Sequence, residues 1–259
     1  MPETAPDLPE FDTLAFEDYI EDVSDIANAG SIALLGMFKV GKTTLAATIA
    51  GVKSIVDSND QVLILESESG TASIKRDFPG IRLMKLSNIV GFNRAVNELI
   101  TKRHKYRVVI VDTYDKFQGY EVDYELALTP NDTRASYGRV KKWTVDTAWA
   151  LHKAPFLVIF LFHETSEKDN TGKVNVTYKL AGSAGEDLGQ VFDMIARLTV
   201  VTNPDGETQR VLQIGPAEGV STGSRWEQEL PNSMINPTMP KIFDLIEAEA
   251  APAVTLTKE

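Results

Sequence analysis

Residues 36–43 read GMFKVGKT, which fits the pattern G-x-x-x-x-G-K-T. The apolar run Ser31–Gly36 before it predicts a buried strand, and Lys42–Ala50 after it predicts a helix that ends at Gly51. In a strand, glycine-containing turn and helix of this order, successive backbone N–H groups and the positive end of the helix point to one place. The sequence therefore predicts a phosphate-binding loop at residues 36–43.

The polar groups of this loop have different expected tasks. We expect the Lys42 ammonium to reach the β- and γ-phosphates of a nucleotide, and the Thr43 hydroxyl to ligate Mg²⁺. We expect Thr44 to contact the α-phosphate. The predicted ligand is ATP with Mg²⁺. The predicted nucleotide-binding residues are Gly36, Lys39, Val40, Gly41, Lys42, Thr43 and Thr44.

Acidic residues follow two other predicted strands. The run Arg107–Val111 leads to Asp112, and a carboxylate in this position can hold Mg²⁺ through water. No glutamate directly follows Asp112, so the group that orients the attacking water must come from elsewhere. The strand Gln61–Glu66 continues as ESESG, and Glu68 lies farther from the strand end than Glu66 does. Glu68 is therefore the predicted base, and two solvated loop carboxylates are the alternative.

Apolar runs alternate with helical patterns along the chain. This alternation predicts an α/β fold with a mainly parallel sheet covered by helices on both faces. Met194–Thr202 and Glu207–Ile214 flank NPDG and predict a C-terminal antiparallel hairpin. Two polar segments, 113–134 and 164–182, are predicted as long loops at the ligand-binding edge of the sheet. Other predicted elements are helices Asn88–Lys105, Ala135–Leu151, Ala184–Val191 and Lys241–Ala250, strand Phe156–Phe162 and a weaker strand Ile81–Leu86.

Composition excludes several classes of protein. The 259 residues are 43% hydrophobic and include no cysteine, which excludes a disulfide scaffold, a thiolate metal site and a cysteine nucleophile. Nine of the 37 acidic residues lie in residues 1–38, which contain no Lys or Arg. We therefore predict an acidic leader (1–24), an ATPase core (25–246) and a loose tail (247–259). No signal peptide or membrane-length apolar run is visible, which predicts a cytoplasmic protein with no membrane partner.

The ordered motifs resemble the RecA-like core ATPases of bacteriophages. These are small AAA-type nucleotide-binding proteins of the single-strand annealing and recombination group. The resemblance covers roughly residues 30–235. The matching segments are 36–43, 66–70, 108–112, 134–138 (RASYG), 160–163, 193–198 and the hairpin to Gly215. The resemblance implies a RecA-like P-loop fold and ATP hydrolysis at the subunit interfaces of a homo-oligomer.

The resemblance also implies roles for three residues. Glu68 matches the glutamate that activates water, and His163 matches the residue that senses the γ-phosphate and communicates with a DNA-contacting loop. His163 also fits on its own, because it ends the strand Phe156–Phe162 that we place beside the phosphate-binding loop. Arg225 matches an arginine that reaches the ATP of the neighbouring subunit. Gly223 stands where the family has a lysine, which argues against fast hydrolysis.

Two functional hypotheses follow. The first is an ATPase of phage DNA recombination or annealing, cytoplasmic in the host cell, that binds single-stranded DNA through segments 113–134 and 164–182. Aromatic residues of the first segment either stack on bases or pack against the protein; these are Tyr114, Phe117, Tyr120 and Tyr124. The alternative is a slow ATP-dependent protein that recruits a replication or repair partner through its acidic leader. The absence of Asn-Lys-x-Asp disfavours a GTPase, and the absence of an Arg-rich lid disfavours a kinase.

Overall fold

The computed structural model describes residues 30–68, 70–168, 172–203, 205–226 and 230–250. The predicted acidic leader and the end of the predicted tail lie outside these residues. The last helix runs from Met239 to Ala250, which confirms the predicted helix Lys241–Ala250 and shows that the predicted boundary of the tail at residue 247 is four residues too early. Within the described ranges, every helix is too short or too polar to cross a bilayer.

A mainly parallel sheet organises the described chain. Its order is β10-β8-β7-β1-β5-β4-β2-β3, with β6 paired to β5 and β9 paired to β7. Strands β1, β2, β3, β4, β5 and β7 pair in parallel, and the other pairings are antiparallel. The strands are β1 (Ser31–Gly36), β2 (Val62–Glu66), β3 (Arg82–Lys85), β4 (Val108–Asp112), β5 (Leu157–Lys168), β6 (Val174–Tyr178), β7 (Met194–Thr202), β8 (Thr208–Gln213), β9 (Gly223–Ser224) and β10 (Ser233–Ile235).

Helices cover both faces of the sheet. They are α1 (Lys42–Ala47), α2 (Ile89–Thr101), α3 (Tyr114–Leu128), α4 (Thr133–His152), α5 (Ala184–Leu188) and α6 (Met239–Ala250). Residues of α1 and α6 form one core with one face of the sheet, and residues of α2, α3 and α4 form a second core with the other face. Strands buried on both faces need apolar residues at every position, which explains the uninterrupted runs in β1 and β4. The predicted α/β fold of a RecA-like P-loop protein and its C-terminal hairpin are confirmed.

The prediction of a long loop at 113–134 is wrong, because α3 and the start of α4 occupy most of this segment. The buried face of α3 consists of Tyr114, Phe117, Gln118, Glu121 and Glu125, at helical spacing. Three of these five residues are polar, so hydrophobic periodicity does not reveal the helix. Tyr114 and Phe117 are fully buried in the core, which excludes them as base-stacking residues and confirms the packing alternative for both.

The second predicted loop, 164–182, is also wrong. Strand β5 does not end at Phe162 but continues to Lys168, and β6 pairs with this extension in antiparallel register from Glu164↔Tyr178 to Lys168↔Val174. β6 alternates β-branched and other residues, as half-exposed strands do, but the extension of β5 is polar throughout, and its charges are typical of a loop. The β5–β6 hairpin therefore extends from the carboxyl edge of the sheet beyond its core.

Candidate functional site

The phosphate-binding loop connects β1 to α1 at the centre of the sheet. Gly41 has a φ of 105° and Lys39 a φ of 62°, a left-handed conformation in which glycine is favoured. A β-carbon at Gly36 would lie 2.7 Å from the Leu198 carbonyl oxygen and 2.9 Å from Val40 Cγ1. The two glycines of the motif are thus required by backbone conformation at one position and by close packing at the other.

Lys42 begins α1 and lies inside the loop. Its Nζ donates to the carbonyl oxygens of Gly36 at 2.8 Å and Met37 at 3.0 Å. Burial lowers the pKa of Lys42, and the nearby carboxylates of Asp115 and Asp112 oppose that effect. A buried, tethered ammonium of this kind can neutralise phosphate oxygens with little loss of side-chain entropy.

Thr43 and Asp112 meet beside this lysine. Thr43 Oγ1 donates to Asp112 Oδ2 at 2.8 Å, and a β-carbon at Gly70 would lie 3.7 Å from the same carboxylate oxygen. Burial raises the pKa of Asp112, whereas the hydrogen bond from Thr43 lowers it. In the part of the chain that the structure describes, no three His, Cys, Asp or Glu residues form a metal-binding group. The hydroxyl and carboxylate pair fits Mg²⁺, which completes its shell with water and substrate phosphates.

Glu66, the last residue of β2, and Glu68, in the loop after it, have different surroundings. Glu66 is buried, and its Oε1 accepts hydrogen bonds from Thr71 N at 2.9 Å and Thr71 Oγ1 at 2.7 Å. Glu68 is exposed. Burial of Lys42 and of Asp112 has the largest effect on their pKa values. The charge of Glu68 has a smaller effect, and it raises the pKa of both groups. Strand β2 is not adjacent to β1, because β5 and β4 lie between them. The loop after β2 nevertheless reaches the site, since Gly70 lies near Thr43.

His163 lies next to the phosphate-binding loop, where it is paired in register with Gly36. Its backbone N donates to Asp115 Oδ1 at 3.0 Å, and its Nδ1 lies 2.9 Å from Asp115 Oδ2. Its ring stacks on Phe38, with centroids 3.9 Å apart. The sequence did not predict Asp115 as a residue of the site. Its only signal is that it lies three residues after Asp112, within the segment predicted as a loop.

Arg225 lies at the opposite end of the sheet. It follows β9, which pairs with the beginning of β7, and its guanidinium forms a salt bridge with Asp193. Asp193 also accepts from Ser31 N, at the start of β1. Arg225 therefore cannot act on the phosphate-binding loop of its own chain, and a role toward a neighbouring subunit stays a prediction.

Two further arginines at the site were not predicted. Arg210 of β8 donates from Nε to the Val40 carbonyl oxygen at 2.9 Å. Arg197 of β7 forms a bidentate pair with Glu164, at 2.7 and 2.8 Å. Both contacts depend on the register of β7 and β8 against the centre of the sheet, which no local sequence pattern shows.

A family model described as "AAA domain" matches residues 28–226. No curated protein matches the chain. Among solved structures, the chain is similar to the flagellar accessory protein FlaH from Methanocaldococcus jannaschii, with 14% sequence identity and a TM-score of 0.44. That similarity covers 81% of this chain and 85% of the FlaH chain.

Proposed function

The chain belongs to the AAA domain family, and from that premise we propose that it is a Mg²⁺-dependent ATPase. The observation that carries the proposal is the hydrogen-bonded pair of Thr43 and Asp112 beside the buried ammonium of Lys42. A hydroxyl, a carboxylate and an ammonium at the start of a helix are the groups needed to bind a nucleotide triphosphate with its metal ion.

In this proposal each group has a defined task. Lys42 would neutralise the β- and γ-phosphates, and Thr43 and Asp112 would hold Mg²⁺, which withdraws charge from the phosphates when bound. Glu68 would orient a water molecule and accept its proton as the water oxygen bonds to the γ-phosphorus. The bond from that phosphorus to the bridging oxygen breaks, and ADP and phosphate leave. Arg225 of a neighbouring subunit would stabilise the charge that develops.

In the same proposal His163, held by Asp115, would detect the γ-phosphate. Asp115 binds both the backbone and the ring of His163, which fixes the orientation of the ring beside the loop. Phe38, a residue of the phosphate-binding loop, covers the same ring. A change in this loop would therefore reach His163 directly, and Asp115 would act as the residue that positions it.

The Asp115→Asn variant should lower ATP turnover about 10- to 100-fold, since it weakens a buried hydrogen bond of roughly 1.5–3 kcal/mol. The affinity for ATP should fall less than turnover does, because Asp115 forms no hydrogen bond with Lys42 or Thr43 in the described contacts and acts on Lys42 only through its charge. Steady-state kinetics over a range of pH checks this. A merely structural role would change stability but leave the shape of the pH profile as in the wild type.

We further propose that the protein acts in phage DNA recombination or annealing and binds single-stranded DNA. The β5–β6 hairpin supports this, because Lys168 and Lys173 lie on it and Lys179 follows it; Lys173 also forms a salt bridge with Glu218. Lys179 N donates to the His163 carbonyl oxygen at 2.8 Å, and its Nζ lies 5.2 Å from the centroid of the Phe38 ring. The base of the hairpin thus contacts both the sensor and the phosphate-binding loop, so DNA on the hairpin could alter turnover.

Single-stranded DNA should raise ATP turnover several-fold, and the double variant Lys168→Ala/Lys173→Ala should lose most of that increase while its basal rate is retained. The matched control is Lys102→Ala/Lys105→Ala, at the end of α2 on the amino side of the sheet. Turnover is measured with and without DNA. An identical rate in both conditions for the wild type would contradict the DNA-binding proposal and leave the ATPase proposal intact.

The salt bridge between Arg225 and Asp193 favours a second candidate function. Arg225 is already bound within its own chain, and Gly223 stands where the resembling family has a lysine. With fewer cations to stabilise the transition state, hydrolysis would be slow. In that case ATP binding would control recruitment of a replication or repair partner through the acidic leader. Single-turnover kinetics distinguishes the two functions. Recruitment requires that a bound ATP stays unhydrolysed until the partner binds, so its hydrolysis in a single turnover should be slow.

A further inference from the structure

Ser67 is the first residue after β2 and directly precedes Glu68 in the chain. Strand β2 pairs with β4 in parallel register, with Glu66 opposite Asp112. The backbone N of Ser67 donates to the Asp112 carbonyl oxygen at 2.8 Å, so the hydrogen bonding between the two strands continues one residue beyond β2. The loop that carries Glu68 therefore leaves the sheet from a residue that is bound to the strand of Asp112.

The hydroxyl of Ser67 binds the same strand end. Its Oγ donates to the Asp112 carbonyl oxygen at 3.0 Å and accepts from Thr113 N, also at 3.0 Å. Asp112 and Thr113 are both buried, so these polar groups need partners within the protein. A serine hydroxyl can donate and accept at once, and this one satisfies both the carbonyl and the N–H of the peptide bond between Asp112 and Thr113.

The backbone on either side of Glu68 is also held. The Ser67 carbonyl oxygen, which belongs to the peptide leading to Glu68, accepts from the Tyr120 hydroxyl of α3 at 3.4 Å. The Glu68 carbonyl oxygen accepts from Gly70 N at 2.9 Å. The Glu68 side chain itself is exposed. Contacts of the main chain and of the Ser67 hydroxyl therefore set where the carboxylate of Glu68 is presented.

Asp112 connects these contacts to the metal-binding end of the site. Its carboxylate accepts from Thr43, and its carbonyl oxygen accepts from Ser67. Hydrolysis requires that the base, the water and the phosphorus are aligned, and a displacement of about 1 Å can cost roughly 10²-fold in rate. A residue that ties the loop of the base to the strand of the metal-binding carboxylate is thus placed to affect the chemical step.

We infer that Ser67 is a positioning residue for Glu68. Its hydroxyl holds the loop after β2 against Asp112 and Thr113, so that the Glu68 carboxylate is presented to the water that attacks bound ATP. This inference rests on the proposed function, in which Glu68 is the base. Ser67 acts through Glu68 and not on the nucleotide, so its loss affects the chemical step and leaves ATP binding largely unchanged.

Ser67→Ala should lower ATP turnover about 10- to 100-fold. The affinity for Mg-ATP and the Mg²⁺ concentration at half-maximal turnover should stay near the wild-type values, because the side chains that contact phosphate and metal are unchanged. Ser67→Thr keeps a hydroxyl and should restore most of the turnover. The matched control is Ser73→Ala, since Ser73 is an exposed residue of the segment after β2 whose hydroxyl also donates to a carbonyl oxygen, that of Gly70. This control should turn over ATP at the wild-type rate.

A double-mutant cycle separates positioning from a merely structural role. In a Glu68→Gln background the base is already lost, so adding Ser67→Ala should lower the remaining rate by no more than about twofold. Single-turnover assays with labelled ATP follow the slow variants, and thermal melts establish that each variant is folded at the assay temperature. A residue that only stabilises the fold would lower the rate by the same factor in both backgrounds.

The outcomes distinguish this inference from the function on which it rests. Equal factors in the two backgrounds, a wild-type rate for Ser67→Ala, or a large shift in its Mg²⁺ requirement would overturn the inference and leave the proposed ATPase intact. Wild-type turnover in Glu68→Gln would instead contradict the assignment of the base, and the inference would fail with it. An absence of ATP hydrolysis by the wild-type protein would contradict the proposed function itself.

Discussion

Lys42→Ala protein should bind ATP at least tenfold more weakly than the wild type and should turn it over about 10²- to 10³-fold more slowly. The ammonium is held inside the phosphate-binding loop by the carbonyl oxygens of Gly36 and Met37, so its loss removes a positive charge that is already positioned for the phosphates. Calorimetry with Mg-ATP measures the affinity, and a phosphate-release assay measures the turnover.

The stability of this variant separates a lost ligand contact from a lost fold. Burial lowers the pKa of Lys42, so its charged form is less favourable in the folded chain than in the unfolded chain. That penalty is full below the folded-state pKa, shrinks as the pH rises above it, and is gone above the pKa of the unfolded chain. Removing the ammonium should therefore leave the melting temperature near that of the wild type. The exposed Lys53 provides the matched control, and Lys53→Ala should change neither affinity nor turnover. Wild-type ATP affinity in the Lys42→Ala protein would contradict the proposed function.

The centre of the fold was predictable because its residues have one dominant requirement. Strands β1 and β4 are buried on both faces, which demands apolar residues throughout, and the loop at 36–43 needs glycine at fixed positions. These local requirements appear directly in the sequence. In the sheet β5 lies between β1 and β4 and pairs with β1. This pairing puts His163 of β5 beside Gly36, as expected.

The parts that were not predictable depend on contacts between distant elements. The buried face of α3 includes Gln118, which is satisfied by Thr144 of α4 and by Ala181, and Glu125, which pairs with Arg139. Polar residues that are buried with partners look like solvated residues when the partners are unknown. Asp115 was missed for the same reason, since its task depends on His163, 48 residues away.

The same distinction between buried and exposed carboxylates underlies the roles that we propose for Glu66, at the end of β2, and Glu68, in the loop after it. Glu66 already accepts two hydrogen bonds from Thr71, so its carboxylate holds the loop that returns toward Asp112. Glu68 is exposed at that loop and close enough to influence both Lys42 and Asp112. A general base needs a lone pair that water can reach; the carboxylate of Glu68 is exposed, whereas that of Glu66 is buried and bound to Thr71, so we propose Glu68 as the base.

Glu68→Gln should therefore lower turnover about 10²- to 10⁴-fold, because the amide keeps the shape of the side chain but cannot accept the proton of the attacking water. The affinity for ATP should stay near the wild-type value, since the phosphate contacts of Lys42 and Thr43 are unchanged. Glu66→Gln is the matched control. It should lower the free energy of unfolding by about 1–3 kcal/mol through weaker bonds to Thr71, and it should reduce turnover much less. Turnover and ATP affinity are measured for both variants, together with denaturant unfolding. If Glu66→Gln abolished turnover while Glu68→Gln retained it, the base would be the buried glutamate, and the assignment of Glu68 would be wrong.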